Sequence, residues 1–104
     1  MYDTMRLMQI AETSTVVAVP NQISSSLGEE AVILELTQGV YYGLNSVGAR
    51  IWELLKEPRT AGEIRDVILD EYDAEPEAVT RDLLGLLTDL ADRGLIEVRD
   101  GKVP

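Results

Sequence analysis

The chain contains no histidine and no cysteine. Imidazole general bases, thiolate nucleophiles and the usual His/Cys zinc sites are excluded on that ground alone. Disulfide stapling goes with them. Only carboxylates are left as metal ligands, and the adjacent acids Glu29–Glu30 and Asp70–Glu71 read as solvated surface. No stretch approaches the roughly 20 consecutive apolar residues of a spanning helix, so no membrane partner is expected. Residues 1–10 carry one acid and one base and lack a long apolar run, unlike a secretory signal. The cytoplasm is the expected compartment. Bases are scarce too. Nine Lys and Arg stand against nineteen Asp and Glu, a formal charge of −10. A DNA reader needs clustered cations to displace counterions, whereas Arg59, Arg65, Arg81, Arg93 and Arg99 are scattered among acids. Nucleic acid is therefore not an expected partner. No cofactor is implied, and the chain is expected to catalyse nothing by itself.

The 104 residues present suffice for one modest core, hence one domain. Residues 1–15 are polar and weakly periodic and read as a flexible N-terminal extension, with the domain over 16–104. Val16, Val17 and Val19 form a β-prone run stopped by Pro20. Gln22 to Leu27 could form a thin strand, followed by a turn at Gly28–Glu30. Ala31 to Leu36 is rich in aliphatic residues, with Val32, Leu34 and Leu36 on one face. Thr37-Gln38-Gly39 suits a three-residue hairpin loop, and Val40 to Gly43 resumes the β pattern. A small antiparallel meander ending in a tyrosine-rich strand is expected.

At Asn45 the period changes to helical. Asn45 or Ser46 can cap a helix bearing Val47, Ile51, Leu54 and Leu55, with Trp52 beside them. Pro58 ends it. Thr60 and Glu63 fit a capping box for a second helix that carries Ile64, Val67, Ile68 and Tyr72. Pro76 opens a third helix, which presents Val79, Leu83, Leu86, Leu87 and Leu90 and stops at Gly94. Leu95 to Arg99 could add a short strand, with a turn at Asp100–Gly101. This order gives an α+β fold: an N-terminal three-stranded antiparallel sheet, three helices and a β tail. The helices and tail have the outline of a winged helix-turn-helix. The outward positions of the third helix (Arg81, Asp82, Asp89, Asp92, Arg93) hold more acid than base, against DNA reading.

The run Gly39-Val-Tyr-Tyr-Gly-Leu-Asn-Ser-Val-Gly-Ala-Arg-Ile-Trp-Glu-Leu-Leu55 resembles the central signature of PqqD-like proteins, the RiPP recognition elements. The likeness continues through Arg59-Thr60, Glu63-Ile64, Tyr72-Asp73, Val79, Asp82, Leu83 and Leu90 to Gly94-Leu95-Ile96. It spans roughly residues 16–98 and is nearest to the stand-alone members of lasso-peptide clusters. The resemblance implies a chaperone-like adaptor that binds the leader of a ribosomally made precursor peptide. It would work with a leader peptidase and a ring-closing cyclase. It further implies that the leader adds as an antiparallel strand in the cleft between the third strand (Val40, Tyr41, Tyr42, Gly43) and the third helix (Val79, Asp82, Leu83, Leu86). By helical spacing alone, Leu83 and Leu87 read as core, while Leu86 stands at the margin of the apolar stripe. Tyr41 and Tyr42 must lie on opposite strand faces.

Two other classes fit the composition. An acidic acyl or peptidyl carrier needs a phosphopantetheine serine at a helix start. Ser46 is the one candidate, but Asn45 stands where the usual acid would be. A winged-helix transcriptional regulator fits the outline of the fold and conflicts with its charge.

Overall fold

A computed structural model describes residues 10–99. The strands are β1 (Thr15–Ala18), β2 (Gln22–Leu27), β3 (Glu30–Glu35), β4 (Val40–Leu44), β5 (Arg59–Thr60) and β6 (Ile96–Arg99). The helices are α1 (Ser46–Leu54), α2 (Ala61–Glu71) and α3 (Pro76–Asp92). The expected meander is present: β2, β3 and β4 form a three-stranded antiparallel sheet in that order. Between β3 and β4 the chain reverses at Gly39, whose φ of +71° suits a residue without a side chain.

β1 does not join that sheet. It pairs antiparallel with β6 and with the two-residue β5, in the order β5-β1-β6. Pro20 interrupts the chain between β1 and β2 and leaves β1 to pair elsewhere. β5 is too short to show a period in sequence and was not foreseen. The Asp100–Gly101 turn expected beyond β6 lies outside the described residues.

Alternation on β3 had put Val32, Leu34 and Leu36 together. The face packed on α1 is the other one, with Ala31, Ile33 and Glu35 buried and Leu36 exposed just past the strand. Both faces of β3 are apolar, so periodicity could not choose between them. Glu35 tolerates the inner face because its carboxylate is satisfied locally. It accepts from the Thr37 amide at 3.0 Å and the Gln38 amide at 2.7 Å, bracing the hairpin loop.

Helix ends follow the local chemistry. Asn45 is the α1 cap, accepting from the Gly48 amide at 2.9 Å. Thr60 and Glu63 close a capping box on α2, with bonds of 3.1 and 2.9 Å. Pro76 opens α3, and Gly94, at φ +75°, follows its last turn. One core joins both sheets to the helices. Val16, Ile33, Leu55, Ile64, Leu87, Leu90 and Leu95 are its most deeply buried side chains. Each contributes about 1.5–3 kcal/mol relative to exposure.

The expected extension over residues 1–15 is corrected where it can be seen. Residues 1–9 lie outside the described residues, but 10–14 are packed onto α2. Ile10 is buried in the core, the Gly62 amide donates to the Glu12 carbonyl at 2.9 Å, and the Ala61 amide donates to the Ser14 carbonyl at 3.0 Å. The open amides at the start of a helix need acceptors, and the lead-in supplies two.

Candidate functional site

β4 pairs with β3 on one side only among the described residues. Its other border therefore presents backbone N–H and C=O groups over five residues. Val40, Tyr42 and Leu44 turn toward the helices, while Tyr41 and Gly43 turn away. Beside this border opens a cleft of ≈ 610 Å³. Its β4 wall is Tyr42, Gly43 and Leu44, and its opposite wall is Val79, Asp82, Leu83 and Leu86 of α3. Buried Ile51, Ile68 and Leu83 line it, with half-buried Val47, Val79 and Leu86 around them. Alternating positions of an extended chain could drop apolar side chains between these walls while the backbone follows β4.

Farther along the two walls, Tyr42 Oη donates to Asp89 Oδ2 at 2.6 Å. The Arg93 guanidinium lies 5.0 Å from the Tyr42 ring centroid, and its Nε is 3.4 Å from Asp89 Oδ1. Burial, and then the anionic acceptor, push the Tyr42 phenol up to about 12. The same hydrogen bond holds the Asp89 carboxyl below its ordinary value. Asp82 is different. Its side chain is exposed, with only a 3.6 Å contact from Arg81 Nε, and such surface pairs contribute little.

Of the residues named from sequence, Tyr42, Gly43, Val79, Asp82, Leu83 and Leu86 line one cleft, and Val40 and Tyr41 do not. Tyr41 is 69 % exposed on the outer sheet face. Sequence reasoning missed the α1 contribution from Val47 and Ile51, although their spacing places them on one helix face. It placed Asp89 at an outward position of the third helix, because nothing in a linear pattern shows that Tyr42 comes within reach.

A second cleft, of ≈ 490 Å³ between β2 and α1, is lined largely by polar groups, among them Ser24, Ser25, Ser26, Glu29, Arg50 and Glu53. It lacks the apolar walls of the first. Among the described residues no cluster of three acids could hold a metal ion, and no helix is long and apolar enough to cross a membrane.

The family model described as Coenzyme PQQ synthesis protein D (PqqD) matches residues 30–96, which includes β4, the cleft and all of α3. The chain belongs to the PqqD family, the RiPP recognition elements. Two solved structures are similar to this PqqD-family protein. TbiB1 in complex with the TbiA(beta) leader peptide matches at 38 % identity and a TM-score of 0.73, over 85 % of this chain and 99 % of that one. Lasso peptide synthetase B1 complexed with the leader peptide matches at 24 % identity and a TM-score of 0.69, over 84 % and 99 %; at that identity the likeness shows the fold alone. No curated protein matches the chain.

Proposed function

We propose that this protein captures the leader segment of a ribosomally made precursor as an added antiparallel strand on β4 and presents it to a leader peptidase and a ring-closing cyclase. One observation carries the reading: the open border of β4 runs beside an apolar cleft walled by α3. Main-chain pairing supplies affinity with little dependence on sequence, and the cleft selects the side chains that enter it. The 38 %-identical relative TbiB1 was solved with a leader peptide, which supports the same class of ligand here. Val79, Asp82, Leu83 and Leu86 form the helix side of the site, and Tyr42 and Gly43 the strand side. Val40 and Tyr41 contribute backbone only.

The adaptor itself catalyses nothing. Three helices with the β5-β1-β6 sheet act as a winged helix-turn-helix scaffold put to peptide binding, in the cytoplasm. A free leader loses chain entropy on docking, which offsets part of the contact energy. Affinity between micromolar and nanomolar corresponds to about −8 to −12 kcal/mol. The acidic surface favours leaders that carry Lys or Arg. The carrier and transcription-regulator readings gain no support from the family assignment or the cleft.

The test is an anisotropy titration of a labelled leader peptide, followed by amide hydrogen exchange on the complex. Saturable binding with new protection across residues 40–44 is expected. Absence of binding, or binding that leaves those amides unchanged, would overturn strand addition.

A further inference from the structure

The cleft between β4 and α3 is apolar along its floor and acidic at one end. Ile51, Ile68 and Leu83 are buried in it. Among the described residues, the only charged side chains that line it are Asp73, just before α3, and Asp82, on α3. No lysine or arginine lines it. Both carboxylates are exposed, and neither is held tightly. Asp73 makes no ion pair among the described residues, and Asp82 has the loose 3.6 Å contact with exposed Arg81. The nearby cations are committed elsewhere. Arg50 is paired with Glu53 at 3.0 Å and Glu71 at 2.6 Å, and Arg93 with Asp89 and the Tyr42 ring.

The acids mark a direction along the site. Tyr42 is tied to Asp89. From Tyr42 the strand continues to Leu44, while the α3 residues lining the cleft step back from Asp89 through Leu86 and Asp82 to Val79. β4 and α3 therefore run in opposite senses. A strand added antiparallel to β4 runs in the same sense as α3. Its N-terminal part passes Val79, Asp82 and Asp73. Its C-terminal part leaves past Tyr42, where Asp89 and Arg93 offset each other.

The Asp73–Asp82 end suits a long basic side chain. The methylene stem of Lys or Arg can lie on Val79 and Leu83 while its charged head reaches the carboxylates. Exposed pairs contribute little in water. A docked leader covers the cleft and lowers the local dielectric, which strengthens the attraction. An Asp or Glu at the same leader position would meet two like charges.

We infer that Asp73 and Asp82 are specificity residues: they select leaders with a Lys or Arg in the N-terminal part of the docked strand, ahead of the apolar residues that fill the cleft toward Leu86, and reject leaders with an acid there. The inference rests on the strand-addition reading and adds a charge requirement at one end of the same site. Selection acts locally, not through the overall charge of −10.

The probe is a displayed library of random peptides long enough to span β4. It is selected on the full chain, on Asp73→Asn/Asp82→Asn and on Glu29→Gln/Glu30→Gln. The glutamate variant removes the same number of charges at the β2–β3 hairpin, away from the cleft. Circular dichroism checks that each protein is folded. The wild type should enrich alternating apolar residues preceded by Lys or Arg. That basic preference should vanish in the aspartate variant and persist in the glutamate variant. For one selected peptide, changing its base to Gln should weaken binding to the wild type roughly fivefold, and to the aspartate variant less than about twofold, by anisotropy. An apolar pattern without a basic preference would overturn the inference. So would a preference that survives in the aspartate variant, one lost equally in the glutamate variant, or one on the C-terminal side of the apolar residues. Enrichment of no apolar pattern by the wild type places the error in the strand-addition reading beneath it.

Discussion

Tyr42 Oη donates a 2.6 Å hydrogen bond to Asp89 Oδ2, joining the middle of β4 to α3 across 47 residues of sequence. Tyr42 is also part of the cleft wall. The bond therefore fixes how far the open border of β4 stands from the helix it faces, and Arg93, on the ring and near Asp89, holds the pair in place. A wall positioned in advance lowers the ordering cost of binding.

Breaking this bond should affect both fold and affinity. Asp89→Ala and Tyr42→Phe should each cost about 1 kcal/mol of stability, the usual net contribution of such a bond. Their double mutant should cost less than the sum, because both remove one interaction. Urea denaturation of the four proteins checks this. Leader affinity should fall severalfold in each.

The phenol gives a pH signature with a definite sign. Its value is raised from 10 to about 12, so the native state holds the proton more tightly than the unfolded chain does. The associated stability is complete below pH 10 and is lost as pH rises through about 12. Ultraviolet titration should find one of the four tyrosines ionising last. In Asp89→Ala that last step should move down in pH.

Elements with strong local chemistry were legible in the sequence: the capping box at Thr60–Glu63, the Pro76 start and the meander. The margin position of Leu86 was legible for the same reason, since helical spacing separates it from buried Leu83 and Leu87. What was not legible depends on distant partners. β1 joins β6, the inner face of β3 is the one bearing Glu35, and Asp89 meets Tyr42. Short-range patterns carry no information about which faces finally meet. The lead-in was misread because its turn residues look like free coil, while their carbonyls serve the first amides of α2.

Two glycines should respond to alanine with opposite signs. Gly94 has φ +75°, and an added Cβ would meet no atom within 4 Å, so the cost is conformational alone. Gly94→Ala should destabilise by about 1–2 kcal/mol. Gly85 lies in α3 at an exposed position with the same free space and no positive φ. Gly85→Ala should stabilise by about 0.5–1 kcal/mol. Thermal melts distinguish them, with the midpoint falling for one and rising for the other.

Glu35 should contribute to acid sensitivity. The Gln38 amide, and then the Thr37 groups, hold its carboxyl below the ordinary 4.5 against an opposing effect of burial. A lowered value means stability present above the unfolded value and lost as pH falls through the folded one. Between pH 7 and pH 3 the wild-type urea midpoint should drop more than that of Glu35→Gln, which has no charge to lose. An identical drop in both proteins would show that the hairpin brace does not contribute.

Adjacent leucines on α3 should divide binding from folding. Leu83 is 3 % exposed and belongs to the core, whereas Leu86 is half-buried on the cleft wall. Leu83→Asp buries an unpaired carboxylate and should unfold the protein. Leu86→Asp can turn its charge to water, so circular dichroism should stay native. Leader affinity should nevertheless fall at least about tenfold, as expected when an apolar contact on the wall of a site is replaced by a charge. A folded Leu86→Asp protein with unchanged affinity would remove α3 from the site and leave β4 to bind the leader alone, whereas global unfolding would reassign Leu86 to the core.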